Sequence, residues 1–572
     1  MSGSAPEIET AGAPAGWLFS SLRGYRPEWW RSDLIAGLTV WAVLVPEALA
    51  YATIAGVSPV IGLYAAPPAL ILYAAFGSSK HLVTGPMAAT AALSAAAVAD
   101  VATDENFVAF TAILAVLTGL IALLAGLLKL GFVANFISEP VLKGFIIGLA
   151  LTIIVGQLPK FFGIEGGEGN FFEKLWAWIK GLGETDVPTL VVGLISLAIV
   201  LVLRAYWPAI PGPLVAVVFG IGAVVLLDLA ERGVAIVGDI ESGLPALGLP
   251  DGSAGDYLSL APAAVGVMLV GFAEGLGAGK TYASRHHYEI DANRELIGLG
   301  AANLGSGLSG GMVVNGSLSK TAVNGTAGAR TQVSGLVVAV LTILTLLFLT
   351  GLFADLPEAT LAAVVIAAIV ELVDIDSLKE LYHTYTERLG RIYGVAARPD
   401  FIAATAAMLG VLIFDTLPGL FIGIGMSLFL MVFRSSKPNI ARLGLVPGTD
   451  VFADTDRRPE AVEPSGVRVV RVESGLFFGN AEYVRGRIRS MAGDSGVRAV
   501  VVDAETIPFV DVTAVRMLTE LAEELEREKV TLAIAHGIGQ VRDLIPTDGG
   551  EHGPAVYRTL DEALAALARP EG

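Results

Sequence analysis

The chain has 572 residues, of which 54% are hydrophobic and only 16% carry a charge. Because charged residues make up about a quarter of an ordinary soluble protein, this composition excludes a soluble globular chain and indicates a polytopic membrane protein. The sequence contains no Cys, which excludes disulfides, thiolate metal sites and Cys nucleophiles, and its net charge of -18 argues against a nucleic-acid partner.

The first segment, residues 1–31, precedes the apolar part of the chain. Its beginning is small and polar, with Pro and Gly, which is typical of a disordered tail. The stretch from Trp17 to Arg31 combines Arg and Trp side chains, as amphipathic segments at the cytoplasmic membrane surface do. We therefore predict a cytoplasmic segment over 1–31, followed by a transmembrane transport domain over 32–435.

Apolar spans follow one another along the transport domain. They lie near 33–54, 58–77, 84–99, 107–131, 138–157, 187–205, 212–230, 259–279, 293–310, 317–327, 331–353, 357–373, 399–415 and 417–433. A helix needs about 20 residues to cross the hydrocarbon core, so the spans near 84–99 and 317–327 are too short to cross alone. Each of these two begins after a Gly-containing break, and we interpret each as an extended approach followed by a half-helix.

The positions of Lys and Arg predict the orientation. These residues concentrate in alternate connections, which should be the cytoplasmic ones. An even number of spans then returns the chain to the cytoplasm near Arg434. We expect a multi-pass protein of the inner (plasma) membrane with both termini in the cytoplasm.

The composition changes after the last span. Three segments have the pattern of strands and two have the spacing of helices: 468–472, 497–502 and 530–535, then 515–526 and 560–567. Their alternation predicts a small α/β domain over 466–569. The Pro-containing stretch 436–465 is predicted to be a linker.

An internal repeat relates the two halves of the transport domain. The stretch Val83–Ala91 has the same frame as Val314–Ala322, with Gly85 matching Gly316. Upstream of each stretch lies an acidic residue in an apolar span, Glu47 in one half and Glu274 in the other. Interrupted apolar segments at corresponding positions are the best sequence indication of a transporter's central binding site. The alternative is chance similarity between Gly- and Ala-rich helices.

Two half-helix ends facing each other would suit an anion. The first N–H groups of a helix have no intrahelical partner, and the helix dipole is positive there. Gly85 and Gly316 would allow backbone turns, and small neighbours would let an anion approach the amides. The predicted substrate-binding residues are Gly85, Pro86, Met87, Ala88, Ser317, Leu318, Ser319, Lys320 and Thr321. The alternative role of these small residues is tight helix packing.

Three ionisable residues are unusual for their apolar surroundings. Lys320 would supply the cation that offsets the substrate's charge, unless its side chain extends to an aqueous edge. Glu47 and Glu274 are candidates for ion coupling, since a carboxyl group in an apolar site can load and release a proton. The alternative for either acid is a plain ion pair with Lys320. Because Ala278 stands one turn after Glu274, a sodium ion would lack oxygen ligands, which favours protons.

The chain resembles the SulP (sulfate permease) family of anion transporters over nearly its whole length. The resemblance rests on the segments Asp33–Thr39, Pro46–Ala52, Ala55–Pro59, Phe76–Ser79, Asp291–Leu296, Gly298–Asn303 and Gly316–Asn324. It implies fourteen transmembrane segments as two inverted repeats of seven, with a core and a gate domain, and a substrate site between the third and tenth segments. The family usually has Arg at the position of Lys320 and often Gln at that of Glu47.

The C-terminal α/β domain resembles a STAS domain. Soluble STAS proteins have a phosphorylatable hydroxyl at the position of Thr513, so Thr513 is a candidate regulatory residue. The competing interpretation of Asp511–Ala514 is a helix cap. The resemblance also implies a homodimer, with this domain contributing to dimerisation and regulation.

These observations predict a proton-driven secondary transporter of a small inorganic or carboxylate anion, most simply sulfate, and not an enzyme. No cofactor or metal is expected. Sodium-coupled bicarbonate transport and proton-coupled dicarboxylate transport are the alternatives within this class. An uncoupled anion channel is the alternative from another class, and a membrane sensor signalling through the STAS-like domain is a third.

Overall fold

The computed structural model describes residues 18–103, 105–132, 137–207, 210–240, 242–370, 372–383, 398–414, 416–537, 539–544 and 553–567. The chain divides into two compact units. The first comprises Met1–Leu381 with Asp400–Gly425, and the second comprises Tyr382–Pro399 with Met426–Gly572. The disordered tail predicted at the beginning of the chain lies outside the described residues.

The apolar part of the chain is helical. Its helices are α1 (Trp30–Ile54), α2 (Pro59–Phe76), α3 (Ala88–Ala99), α4 (Phe107–Leu127), α5 (Glu139–Phe162), α6 (Phe171–Gly181), α7 (Val187–Tyr206), α8 (Gly212–Leu227), α9 (Ala254–Arg285), α10 (Ala292–Leu308), α11 (Leu318–Thr326), α12 (Val333–Phe348), α13 (Glu358–Val370), α14 (Ile375–His383), α15 (Pro399–Phe414) and α16 (Thr416–Ser436). In the described part of the chain, seven of the helices are long and apolar enough to cross a membrane. The chain is therefore a multi-pass membrane protein.

Helices α6 and α14 were not expected from the apolar spans. Helix α6 begins with a capping box in which Asn170 and Glu173 satisfy each other's backbone N–H groups. It has no fully buried residue, and neither has α14. Both are short helices with one apolar side, so a search for continuous apolar spans does not detect them.

The two halves of the sequence pack directly on each other. A Cβ on Gly119 of α4 would lie 2.5 Å from the backbone N of Leu304, and one on Gly300 of α10 would lie 2.7 Å from the backbone N of Leu123. Glycine on both helices therefore brings the backbones of α4 and α10 into contact. This close approach fixes α10, which leads directly towards the second interrupted segment.

Two buried carboxylates also join the halves. Asp33, at the start of α1, accepts hydrogen bonds from the backbone N–H of Arg330 and Thr331 and from the Thr331 hydroxyl. Glu295 of α10 accepts from the Tyr73 and Ser78 hydroxyls, at 2.7 and 2.6 Å. Both carboxylates are fully buried and both are satisfied by donors from the opposite half, which lowers the cost of burying their charge.

The second unit contains a six-stranded sheet. Its strands are β3 (Ile440–Leu445), β4 (Phe452–Asp454), β5 (Val467–Val472), β6 (Ala499–Asp503), β7 (Thr531–Ala535) and β8 (Ala555–Tyr557), in the order β4-β3-β5-β6-β7-β8. Its helices are α17 (Ala481–Ala492), α18 (Val512–Arg527), α19 (Gly539–Leu544) and α20 (Leu560–Leu567). Strands β5 to β8 are parallel, whereas β3 pairs antiparallel with both β4 and β5. The predicted α/β domain is therefore present.

The stretch 436–465 differs from the linker that was predicted there. It contributes β3 and β4 to the sheet, with Ile440 opposite Val472. Its Pro residues lie outside these strands, which leaves the backbone donors of β3 free to pair. The sheet is covered on both faces: α17 and α18 pack on one side with Val470 and Val502, and α20 packs on the other with Val501.

Candidate functional site

Two interrupted segments meet in the first unit. Strand β1 (Val83–Gly85) pairs antiparallel with β2 (Asn315–Ser317), which sets Thr84 opposite Gly316. Because α3 follows β1 and α11 follows β2, the two half-helices leave the strand pair in opposite directions. Their N-terminal ends therefore both lie at the strand pair, in agreement with the break and half-helix predicted from the sequence.

The first turn of α3 has no side-chain cap. Met87 at its N-cap makes no capping hydrogen bond, and Ala88 and Ala89 at its start are buried. The first N–H groups of a helix have no partner within the helix. The tip of α3 therefore presents backbone donors that small side chains leave uncovered.

The first turn of α11 is more polar. Ser317 caps it by accepting a hydrogen bond from the backbone N–H of Lys320 at 3.2 Å. The hydroxyls of Ser317 and Ser319 lie 3.2 Å apart. Ser317 is buried, whereas Leu318 and Ser319 are exposed. The Ser319 hydroxyl is thus the most accessible polar group at this tip.

Lys320 lies across the gap between the two segments. Its Nζ is 2.7 Å from Oε2 of Glu47 on α1 and donates a hydrogen bond to the Pro86 carbonyl at 3.2 Å. The same Nζ lies 4.9 Å from the centre of the Tyr51 ring. The Lys320 side chain is 1% exposed, so it does not extend to an aqueous edge. Glu47, not the aqueous phase, stabilises the ammonium in this structure.

Thr321 has a positioning role in the geometry. Its hydroxyl accepts a hydrogen bond from the backbone N–H of Val83 at 3.0 Å, and it is fully buried. One turn later, the Asn324 amide donates to the His81 carbonyl at 2.9 Å. These two bonds hold α11 against the approach to β1. The Thr321 hydroxyl is thus directed at the protein backbone.

The reason for glycine at 85 and 316 differs from the predicted backbone turn. Neither residue has a positive φ. A Cβ on Gly316 would lie 2.8 Å from a Leu82 methyl and 3.0 Å from Cα of Gly275, whereas one on Gly85 would make an ordinary 3.5 Å contact with Leu44. Gly316 therefore permits the close approach of β2 to α9, and Gly85 is not required for conformation.

Glu274 lies on α9 at the other side of β2. The Asn315 amide donates to Glu274 Oε2 at 3.3 Å, while Asn315 Oδ1 accepts from the backbone N–H of Gly316 at 2.7 Å. Glu274 is half-buried and makes no ion pair with Lys320 among the contacts of the described residues. The two predicted coupling acids thus have different partners: Glu47 is paired with an ammonium, and Glu274 with an amide.

A small cavity lies behind β2. Its lining includes Thr90 from the first turn of α3, Phe272 of α9, Asn303 of α10, and Asn315. Asn303 holds the backbone before β2 through two hydrogen bonds, donating to the Val314 carbonyl and accepting from the Val314 N–H, both at 2.9 Å. The tip of α3 and the strand β2 therefore border one shared space.

Several residues of the site were not identified from the sequence. Three of them are uncharged residues on apolar helices or at a break: Asn303, Asn315 and Tyr51. Their partners lie 11 or more residues away in the chain, so the local sequence does not indicate them. The sequence signal that could have identified them is the set of Asn residues on either side of Gly316, at 303, 315 and 324, all of which the structure buries. An amide that cannot reach water must bond within the protein, so such a set indicates a fixed backbone.

In the second unit, Asp511 is the N-cap of α18. Its carboxylate accepts from the backbone N–H of Ala514 and of Phe478, both at 2.8 Å. Asp511 therefore caps this helix, as the competing interpretation of Asp511–Ala514 predicted. Thr513, in the first turn of α18, is exposed.

Protein-family models match most of the chain. The model described as the sulfate permease family matches residues 30–390, and the STAS domain model matches residues 458–563. A probable sulfate transporter of Mycobacterium tuberculosis (strain ATCC 25618 / H37Rv) is 36% identical over 569 residues, which cover 97% of this chain and 99% of the relative. The chloroplastic sulfate transporter 4.1 of Arabidopsis thaliana is 32% identical over 541 residues, or 91% of this chain and 77% of the relative.

Solved structures have the same fold. The inward-facing murine Solute Carrier 26 family member A9 anion transporter matches with a TM-score of 0.86 at 24% identity, covering 98% of this chain and 96% of that chain. The transmembrane domain of a cyanobacterium bicarbonate transporter, BicA, matches with a TM-score of 0.59 at 27% identity, covering 69% of this chain and 97% of that chain.

Proposed function

The chain belongs to the sulfate permease family, and from this premise we propose that it is a proton-driven secondary transporter of a small anion. Sulfate is the first candidate substrate, because the two relatives described above are named a probable sulfate transporter and a sulfate transporter. The observation that carries the proposal is the buried Lys320 ammonium at the tip of α11, close to the uncapped tip of α3.

The two tips provide complementary donors for an oxyanion. Helix α3 offers backbone N–H groups beside Ala88 and Ala89, and α11 offers the Ser319 hydroxyl. The positive ends of both helix dipoles lie at the same strand pair, so their potentials add there. Ala88, Gly85, Pro86 and Met87 form the side of the site that belongs to the first repeat.

The pairing of Lys320 with Glu47 supplies a means of coupling. In the state described here, the ammonium and the carboxylate neutralise each other in a buried position. Protonation of Glu47 would leave the ammonium unpaired, which is costly in an apolar interior. An arriving anion would pair with Lys320 and remove that cost. Proton binding and anion binding therefore favour each other, and linkage requires that the effect be reciprocal.

Glu274 is the second coupling candidate. Its side chain accepts a hydrogen bond from the Asn315 amide at 3.3 Å. Asn315 also orients the backbone N–H of Gly316. A change of charge on Glu274 would thus act on β2 directly, and through β2 on the tip of α11.

The other candidate functions differ in their driving ion or in mechanism. Bicarbonate as the substrate has support from the BicA match, and in that alternative sodium would be the driving ion. Proton-coupled dicarboxylate transport would use the same donors. An uncoupled anion channel would need no exchange of partners at Lys320. The buried ion pair favours a coupled transporter, because a charge that must be exchanged at each cycle slows permeation.

The test is uptake into proteoliposomes that contain the full chain. Labelled sulfate, bicarbonate and fumarate would be offered separately under an imposed pH gradient, an imposed sodium gradient, or neither. We expect sulfate accumulation that requires the pH gradient and is insensitive to sodium. Accumulation driven by sodium alone would contradict proton coupling, and currents that ignore both gradients would establish the channel.

Topology, assembly and regulation form a second part of the proposal. We propose that both termini lie in the cytoplasm of a plasma-membrane protein, as the distribution of Lys and Arg favours. We also propose a homodimer, and a regulatory role for the exposed hydroxyl of Thr513. Periplasmic or extracellular labelling of a single Cys introduced near residue 560 would contradict the orientation.

A further inference from the structure

The second unit exposes a cluster of apolar side chains that its own core does not use. The Phe477 ring lies 5.6 Å from that of Phe478 and 6.3 Å from that of Phe509. Phe478 is 77% exposed, and Val512 at the start of α18 is 74% exposed. We refer to Phe477, Phe478, Phe509 and Val512 as the aromatic patch. Adjacent large apolar side chains at this exposure usually mark an interaction surface.

The aromatic patch is held in place by backbone pairing. Two loops carry it, one after β5 and one after β6. They are joined by hydrogen bonds from the Leu476 N–H to the Phe509 carbonyl and from the Asp511 N–H to the Leu476 carbonyl, at 3.0 and 3.1 Å. The Asp511 carboxylate also accepts from the Phe478 N–H. The backbone that carries the rings is therefore fixed, which reduces the conformational entropy that the loops lose on binding.

The sheet places the aromatic patch at the end of the last membrane helix. Strand β3 begins three residues after Lys437, and its first residue, Ile440, pairs with Val472 at the end of β5. Strand β6 runs parallel to β5, so its following loop lies at the same edge of the sheet. The Asn480 amide confirms this placement, because it donates to the Ser435 carbonyl of α16 at 3.1 Å.

Helix α16 is long enough to reach the boundary of the hydrocarbon core at its end. This helix has 21 residues, and a span of about 20 is what the core requires. Exposed Phe429, Met431 and Val432 continue to its last turn, where Arg434 and Lys437 follow. Basic residues that directly follow an apolar span are typical of the cytoplasmic end of a transmembrane helix. The loop that carries Phe477 and Phe478 thus contacts α16 close to the end of its apolar span.

We propose that the aromatic patch is seated in the interfacial layer of the lipid bilayer beside the end of α16. The aromatic patch is thus covered by lipid. The rings pack among the acyl carbons close to the headgroups, and Arg434 and Lys437 contact the lipid phosphates. The α/β domain is thereby held against the membrane by a contact additional to its covalent connection to α16. This surface is separate from the anion site, and its role does not depend on the proposed substrate.

The natural chain has no Cys, so a spin label can be placed at one position only. Nitroxides would be attached to Phe478→Cys and to Val512→Cys of the full protein in phosphatidylcholine–phosphatidylglycerol vesicles. Val451→Cys is the matched control in water. Val451 is 60% exposed and precedes Phe452, which pairs with Leu445 at the opposite end of β3. Phe429→Cys, on the exposed surface of α16, is the lipid control.

We expect the labels at 478 and 512 to collide with oxygen in preference to a water-soluble nickel chelate. The label at 429 should show the same preference, and the label at 451 should show the opposite one. Equal accessibility of 478 and 451 to the nickel chelate would overturn the proposal. Two other results would also overturn it. Spin–spin coupling between labels that disappears on dilution with unlabelled protein would show a second copy as occupant, and protection from both reagents would show burial against protein.

A charge introduced beside the aromatic patch provides a second readout. Thr513→Glu adds a carboxylate next to Val512, whereas Thr531→Glu adds one at the other end of the sheet, where Thr531 is exposed and pairs with Ala499. In the protein labelled at 478, Thr513→Glu should raise collision with the nickel chelate severalfold, and Thr531→Glu should leave it unchanged. No difference between the two variants would contradict lipid as the occupant.

Discussion

Lys320 of α11 and Glu47 of α1 form an ion pair, with Nζ 2.7 Å from Oε2 and both side chains at least 92% buried. One residue comes from each half of the chain, and the pair lies where the two half-helix tips meet. A buried ion pair gains little over a well-packed apolar pair, because both charges lose their hydration. Its presence in the apolar interior is therefore better explained by function than by stability.

Removing one charge of this pair should destabilise the protein more than removing both charges. Lys320→Met leaves the Glu47 carboxylate buried without its partner, and we expect a loss of about 3 to 5 kcal/mol in stability. The double variant Glu47→Gln, Lys320→Met should recover most of that loss but remain inactive in transport. Thermal unfolding in detergent and sulfate uptake measure the two properties. Equal stability of the single and double variants would mean that the two charges do not interact.

The two acids should affect coupling in different ways. Glu47→Gln frees Lys320 permanently, so sulfate binding should become independent of pH and accumulation under a pH gradient should be lost. Exchange of internal for external sulfate should persist, because the anion can still pair with Lys320. Glu274→Gln is the same substitution at the second candidate acid, and a hydrogen bond from Asn315 remains possible in this variant. If only Glu274→Gln abolishes accumulation, the coupling acid is Glu274 and the pairing of Glu47 is structural.

The sequence predicted those features of the site that conflict with their surroundings. Lys320 and Glu47 stand out as charges in apolar spans, and the Gly-marked breaks before α3 and α11 shorten those spans visibly. The position of a partner could not be predicted in the same way. Asp33 bonds to Thr331 and Glu295 bonds to Tyr73, across separations of hundreds of residues for which one sequence carries no signal.

The remaining differences arose where a local pattern is weak. Strands β3 and β4 are short and lie in a Pro-containing stretch, so that stretch was predicted to be a linker. Helices α6 and α14 are amphipathic and not continuously apolar. Gly316 was attributed to a turn, because sequence alone cannot distinguish a glycine required for conformation from one required for close packing.

The glycines at corresponding positions of the two repeats should differ in tolerance. Gly316→Ala places a methyl group 2.8 Å from Leu82 and 3.0 Å from the Gly275 backbone, and β2 would have to move away from α9. We expect a loss of about 1 to 3 kcal/mol in stability and reduced uptake. Gly85→Ala should be well tolerated, since its Cβ would make an ordinary contact with Leu44. Equal effects in thermal unfolding and uptake would contradict the close-approach explanation.

His81 should make stability depend on pH. It lies in the connection between α2 and β1, where burial lowers the pKa of His81 to about 4 from 6.5, and the neighbouring His286 acts in the same direction. The folded protein therefore binds this proton less readily than the unfolded chain, and stability should fall as the pH drops from about 6.5 towards 4. The limiting loss is roughly 3 kcal/mol, from about 1.4 kcal/mol for each unit of pKa.

The measurement is thermal unfolding of the wild-type protein and of His81→Gln at several pH values between 7.5 and 4.5. Below pH 6.5 the melting temperature of the wild type should fall more steeply than that of the variant, because Gln cannot accept a proton there. His287→Gln is the control, since His287 is exposed. Its melting curve should have the same pH dependence as the wild type. If His81→Gln and the wild type lose stability in parallel, His81 is not held neutral by the fold, and the Tyr288–His81–Ala329 hydrogen bonds tolerate its protonation.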